Sequence, residues 1–500
     1  MNIKRAKQEI IDTVEAYLYK DEYGEYVIPQ IRQRPVLLLG APGIGKTQIM
    51  EQVARACGIG LVSYTITHHT RQSAIGLPFI SHKEYGGKEY SVTEYTMSEI
   101  VASIYNKMEE TGLQEGIMFI DEINCVSETL APAMLQFLQC KTFGNHEIPR
   151  GWIIVAAGNP PEFNKSVREF DVVTMDRVKK IQVEPDFGVW KEYAYQENIH
   201  PSILSYLSLR TGFFYRMETT VDGKQFATPR GWEDLSRMIS VYEKLHKEVT
   251  TDVVIQYIQH PKAAGDFAGY YELYRKYEAD YQIDEILQGK SFEGMLKKVA
   301  HAPFDERMSV VNLLFSGVGQ YVRRAVQREE VLEKVFDTLK LIKEVIGSSS
   351  DPLLVVEQHM ELLREEWEKK KAAELLNRRE DLCYRKAMEL LEKYKNVIQG
   401  TGNRDGNQVF EELKEVFSGD REAYEDVFDQ AGNVLENAFD FMEAAFLNSQ
   451  EMVVFVSGLN TDFYSIRFLK EYECERYYRY NRELLFENVS QEIRKRIEAL

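Results

Sequence analysis

The sequence predicts an α/β fold: a mainly parallel sheet covered by helices, followed by a helical lid and an all-α C-terminal region. Three observations predict it. Short apolar runs at residues 35–39, 61–66, 117–120 and 153–157, each bounded by turn or polar residues, fit strands buried on both faces. The first run ends in the glycine-rich turn Gly40-Ala41-Pro42-Gly43-Ile44-Gly45-Lys46-Thr47, and residues 48–56 then read as a helix, so the chain opens as strand, loop, helix. From about Pro185 onward the pattern changes to helical periodicity with few strand candidates, punctuated by Pro201, Pro229 and Pro261.

Ahead of the first strand, Ile3, Ile10, Ile11, Val14 and Leu18 recur at helical spacing, and a turn with Gly24 leads into Val27 and Ile28. Beyond the expected lid, residues 347–352 read as a linker that starts a helix, with Asp351 as N-cap and Pro352 in the first helical position. Apolar spacings of three and four from Val356 to Trp367 and from Cys383 to Ile398 predict one long amphipathic helix, or two in line. Residues 400–407 form a second turn-rich break. The expected domains are thus 1–184 (nucleotide-binding α/β), 185–265 (helical lid) and 266–500 (helical, with linkers near 347–352 and 400–407).

Composition narrows the function classes. The 500 residues hold 61 Lys+Arg against 79 Asp+Glu, a formal charge of -18, with 44% apolar residues. Such a chain is globular and large enough for about three domains. Its acidity argues against coating duplex DNA, since non-specific affinity comes from neutralising phosphates, so a nucleic-acid partner is not expected. Five cysteines without a Cys-x-x-Cys pair offer neither a disulfide framework nor a zinc cage, and no run approaches 18 apolar residues. A cytoplasmic protein with no membrane insertion is expected. Residues 401–460 carry 13 acidic and 3 basic side chains, which reads as a solvated acidic face on packed helices or as a docking surface for a basic partner. In residues 471–481, Tyr472, Tyr477, Tyr478 and Tyr480 fit one buried aromatic face better than a base-stacking platform.

The chemistry concentrates near the sheet. Gly40 to Thr47 matches G-x-x-x-x-G-K-[ST] between a buried strand and a helix, as a phosphate-binding loop requires. Its backbone N–H groups would cradle phosphates, Lys46 would reach the β- and γ-phosphates, and the Thr47 hydroxyl would ligate Mg²⁺. The next motif, Ile117-Met-Phe-Ile-Asp121-Glu122, delivers two carboxylates at the end of a buried strand. Successive side chains alternate faces, so Asp121 suits the metal and Glu122 the polarisation of an attacking water. A third strand ends in Gly158-Asn159-Pro160, which would bring an amide to the same place, although an Asn also opens turns. His68 and His69 lack a third ligand at a sensible spacing, so a polar loop is the better reading; Trp232 reads as lid core.

These elements, with Met175-Asp176-Arg177 and Thr228-Pro229-Arg230, give residues 30–240 a family look: the chain resembles the MoxR-type AAA+ ATPases, a branch that also contains the magnesium-chelatase ATPase subunit. The resemblance implies that Asn159 is sensor 1, Arg177 the arginine finger and Arg230 sensor 2, with Arg168 a rival finger. The family's Asp-Arg-Phe stands here as Asp176-Arg177-Val178, and its Thr-Gln-Asn-Pro as Ala157-Gly158-Asn159-Pro160. Residues 74–95 resemble the branch's insertion in the second helix, without its acidic start, and residues 141–149 its short hairpin. The implied protein is an ATP hydrolase using ATP and Mg²⁺ in a homo-oligomeric, hexameric ring, where Arg177 acts across a subunit boundary. By the same resemblance it remodels or matures a protein client, chaperone-like, with a partner carrying a von Willebrand factor A domain. The alternatives are a nucleic-acid-linked motor and an ATP-binding switch or scaffold with little hydrolysis.

Overall fold

The computed structural model describes residues 1–68, 71–143, 146–163, 170–221, 223–290, 293–347, 351–401, 405–447 and 449–484. The chain divides into two compact units: Met1–Val189 with Arg364–Asp381, and Trp190–Leu363 with Leu382–Leu500.

The strands of the first unit, in chain order, are β1 (Val36–Gly40), β2 (Gly60–Thr65), β3 (Pro78–Tyr85), β4 (Lys88–Tyr95), β5 (Gly116–Asp121), β6 (Thr142–Phe143), β7 (His146–Glu147), β8 (Trp152–Gly158) and β9 (Lys179–Val183). Five of them form one parallel sheet in the order β2-β5-β8-β1-β9. The predicted fold class is present, and each apolar run expected to be a buried strand lies in that sheet. β1 sits between β8 and β9, so the chain leaves the strand bearing the glycine-rich turn at a point where strand order reverses. Open α/β sheets bind ligands at such a crevice.

Burial explains the strand assignments. β8 is buried along its whole length and β5 except at Asp121. Trp152, at the start of β8, lies in register with Gly116 on β5, itself in register with Gly60 on β2. A Cβ on Gly116 would stand 2.6 Å from the indole, so the glycine is what admits the ring. The opening helix Ile3–Leu18 is capped by Asn2, whose side chain accepts from the Arg5 N–H, and buries Ala6, Ile10 and Val14. β3 and β4 form a mostly exposed hairpin between the helices Arg71–Ile75 and Glu99–Thr111, the place of the expected helix insertion. β6 and β7 make the short hairpin expected before β8.

The second unit is built on helices. Its first core packs Trp232 of the helix Pro229–Lys244 against Tyr206 and Phe267 at ring separations of 5.7 and 5.3 Å, and the indole N–H donates to the Phe213 carbonyl at 3.0 Å. One hairpin of β10 (Arg216–Thr220) and β11 (Gly223–Ala227) interrupts the helices. The helices Phe304–Ile346 and Gly406–Phe446, 43 and 41 residues long, form the spine of the remainder. Asp351 caps the next helix, Pro352–Ala372, as expected, through the Leu354 N–H. The apolar pattern from 356 to 398 resolves into two helices, Pro352–Ala372 and Arg378–Thr401, separated at Glu374, whose φ is 60° and which lies in the segment Arg364–Asp381 counted with the first unit. Tyr477 and Tyr480 are buried and Tyr480 stacks on Phe439, so these two are core, whereas Tyr472 is half-buried and Tyr478 is exposed, which corrects the expectation of one buried face for all four. Part of the acidic surplus is neutralised within the unit: Arg476 pairs with Glu436 and Asp440, and Arg479 with Glu443. Among the described residues no helix is long and apolar enough to cross a membrane.

Candidate functional site

Three parallel strands deliver the site. Leu39 of β1 lies opposite Gly158 of β8, and Ile120 of β5 opposite Ala156 of β8, so the C-terminal ends of the three strands converge. Gly43 and Gly45 in the turn after β1 take φ of 75° and 91°, left-handed values that a side chain disfavours. The helix Lys46–Cys57 begins immediately afterwards, with its N-terminal N–H groups and dipole facing the same crevice.

The polar atoms there are partnered almost entirely with one another. Lys46 is buried, and its Nζ donates to the carbonyls of Gly40 and Ala41 at 2.8 and 2.7 Å and to Asn159 Oδ1 at 2.9 Å. The Thr47 hydroxyl donates to Asp121 Oδ2 at 2.8 Å, and Asp121 Oδ1 accepts from the Glu122 N–H at 2.9 Å. Glu122 has φ of 57°, a left-handed conformation costing a non-glycine residue roughly 1–3 kcal/mol and found where function over-determines the backbone. The kink takes Glu122 out of the strand's alternation. Its carboxylate accepts from the Thr67 hydroxyl at 3.3 Å.

Asn124 was not anticipated from the sequence. It is buried; its Nδ2 donates to the Asn159 carbonyl at 2.7 Å, while its Oδ1 accepts from the Asn159 N–H at 3.3 Å. Both backbone groups of Asn159 are therefore fixed by one side chain, which leaves its own amide to meet Lys46. A Cβ on Gly158 would come within 2.7 Å of Asn124 Oδ1, so this contact needs glycine there. Thr67 was missed as well. Neither stands at a spacing that separates it from other polar loop residues.

The structure brings together Gly40, Lys46, Thr47, Asp121, Glu122 and Asn159, with Ala41, Pro42, Gly43, Ile44 and Gly45 forming the turn. It does not place Arg177 in that cluster. Arg177 ends the short helix Val172–Arg177, is exposed, and hydrogen-bonds Gln139. The start of that helix is set by Asp171, which accepts from the Thr174 N–H at 2.7 Å and whose carboxyl is held low chiefly by that residue. Arg230 is the second residue of the helix Pro229–Lys244 in the other unit and is exposed; Thr228 caps the helix by accepting from the Gly231 N–H at 3.2 Å. His69 and Arg168 lie outside the described residues.

The loop, the strand order and the carboxylates at the end of β5 define an α/β P-loop fold. Residues 35–178 match the family described as the AAA domain (dynein-related subfamily), a match that takes in every clustered residue together with Arg177. No curated protein matches the chain. Among solved structures, the chain is similar to the crystal structure of a putative ATPase from Cytophaga hutchinsonii ATCC 33406, at 19% identity over 36% of this chain. The match spans about half, 52%, of that chain, and its TM-score of 0.20 carries no argument. The AAA domain supports nucleotide binding and ATPase activity at the level of the family.

The residues present fit a magnesium nucleotide. A hydroxyl and a carboxylate 2.8 Å apart are the hard oxygen donors Mg²⁺ prefers, and a buried ammonium beside a left-handed glycine turn and a helix N-terminus suits phosphate oxygens.

Proposed function

We propose that this chain hydrolyses ATP with Mg²⁺ at the Lys46, Thr47, Asp121, Glu122 and Asn159 cluster, in a ring whose neighbouring subunit completes the site with Arg177. The observation that carries this reading is the convergence of three strand ends on Lys46, with Glu122 bent out of strand geometry beside it. Thr47 and Asp121 would hold the metal, which supplies charge neutralisation at the phosphates. Lys46 would exchange its loop carbonyls for phosphate oxygens. Glu122, held by Thr67, accepts a proton from water; Asn159 orients that water without adding charge. Exposure of Arg177 suits a guanidinium acting in trans, a role worth roughly 10³–10⁵ in rate where it occurs. Residues 185–265 would act as the lid, with Arg230 as its nucleotide-sensing residue. Remodelling of a protein client, with a von Willebrand factor A domain partner, extends this reading from the family resemblance.

Steady-state ATP turnover measured against protein concentration, beside Glu122→Gln, tests the proposal. Turnover per subunit should rise with concentration and fall by about 10²- to 10⁴-fold in the variant, while nucleotide binding persists. Flat, near-zero turnover in both proteins despite ATP binding would replace the hydrolase with a switch or scaffold.

A further inference from the structure

The helical unit contains a cleft of about 820 Å³, within the range of small-ligand sites. Its walls come from helices far apart in sequence, and five carboxylates face three guanidinium groups across it. Two of those guanidinium groups are already committed. Arg323 hydrogen-bonds the Asn198 side chain and the Tyr195 carbonyl and lies 5.0 Å from the Tyr464 ring. Arg275 is shared between Glu243 at 3.3 Å and Glu278 at 2.7 Å.

The two glutamates differ in how well they are supplied. Burial pushes the Glu243 carboxyl up, but His200, Tyr271 and Arg275 outweigh it and hold the group below its ordinary value. Glu278, half-exposed at the cleft, pairs among the described residues with Arg275 alone, and partial burial with the charges of Glu243 and Asp284 outweighs Arg275 and His200 and holds its carboxyl above the ordinary value. Beside it stands Tyr274, which lines the cleft, is 3% exposed, and has no hydrogen-bond partner for its hydroxyl among the described residues. Burial, together with Tyr270 and the charges of Glu278 and Glu243, holds that phenol far from ionising, so the oxygen is a neutral acceptor and donor. A carboxylate that shares its one arginine with Glu243 and a cleft-lining hydroxyl without a partner among the described residues lie one helical turn apart, and a cation with N–H donors would serve both.

We propose that this cleft binds an ammonium-bearing ligand, whose charge pairs with Glu278 and whose N–H groups reach the Tyr274 hydroxyl. The shared chemistry is a primary ammonium, supplied either by a free polyamine or by a lysine side chain of a bound protein segment. Lysine would enter as an extended side chain and a polyamine as a flexible chain; the volume admits either.

Calorimetric titration of the full chain with spermidine, and separately with a neutral-capped lysine-containing peptide, tests the site at low salt. One saturable site is expected for at least one of them. Glu278→Gln should weaken it at least ten-fold, Tyr274→Phe about three- to ten-fold, and Glu411→Gln, an exposed acid on another helix, not at all. Saturable binding of spermidine alone assigns a free polyamine, and of the peptide alone a protein side chain. Thermal melting of each variant checks that it folds. Binding of neither probe, or binding that survives Glu278→Gln or falls equally with Glu411→Gln, overturns the proposal.

Discussion

The loop site of the first unit and the cleft of the second are both polar, and they are built in opposite ways. Around Lys46 the polar groups answer one another: the ammonium meets three oxygens, Thr47 meets Asp121, and Asn124 fixes both backbone groups of Asn159. Around Glu278 the groups are left short, with one arginine between two carboxylates and a hydroxyl that meets nothing among the described residues. The first arrangement is delivered by strand ends, which place short motifs at fixed positions. The second draws on helices from 190 to 462, so no spacing in the sequence announces it. The first cluster is satisfied by neighbouring residues in register and would exchange partners to take its ligand, whereas the second leaves a hydroxyl without one.

The largest expected effect bears on what holds the helical unit. Trp232 has no exposed surface and packs on Tyr206 and Phe267. Trp232→Ala should cost about 3–5 kcal/mol of that unit's stability by denaturant titration, with hydrogen exchange in β5 and β8 unchanged. Equal loss of protection in the sheet would show that the units do not unfold separately.

A smaller effect probes the loop site. Asn124→Ala leaves the Asn159 N–H and carbonyl without their side-chain partner, costing about 1–3 kcal/mol. ATP turnover should fall about ten-fold or more, while the nucleotide dissociation constant changes less. Unchanged turnover would mean that Asn159 is positioned by β8 alone.

The smallest effect is a pH slope in the helical unit. Burial, and to a lesser degree Glu471 and Glu333, raise the Glu329 carboxyl to about 7 against the pull of Arg467. The folded chain then holds a proton there that the unfolded chain has released, from the ordinary carboxylate range up to about pH 7. Stability from this group is complete at the low end of that window and is lost as pH rises through it. Melting of the unit should therefore fall from pH 5 to pH 8, and Glu329→Gln should flatten the slope.

The sequence made one kind of information plain and concealed another. The strands β1, β5 and β8 are continuous apolar runs because both faces are covered, so burial writes them directly into composition, whereas β2, at the sheet edge, is buried only over residues 60–62. β9 was not anticipated: only Ile181 and Val183 are buried, and the two lysines at its start suit an edge strand. The hairpin of β10 and β11 was hidden for the same reason, since of its ten residues only Ala227 is buried. In the site, residues fixed by a motif were legible. The left-handed backbone of Glu122, the hydroxyl of Thr67 and the brace from Asn124 were not, because each depends on which loops the sheet brings together. The lengths of the two spine helices were equally unreadable, since glycines at 317, 319, 419 and 432 resemble breaks but lie inside continuous helices.

The central claim is a site shared between subunits, and mixing two inactive variants tests it most directly. Arg177→Ala keeps Glu122 but lacks the finger; Glu122→Gln keeps the finger but lacks the base. Each alone should hydrolyse ATP at a small fraction of the wild-type rate. Mixed in equal amounts, a quarter of the sites would pair an intact Glu122 with a neighbour's Arg177, so turnover should recover to roughly a quarter of wild type. A mixture that stays as inactive as its components, or an Arg177→Ala protein with full turnover on its own, would contradict the account.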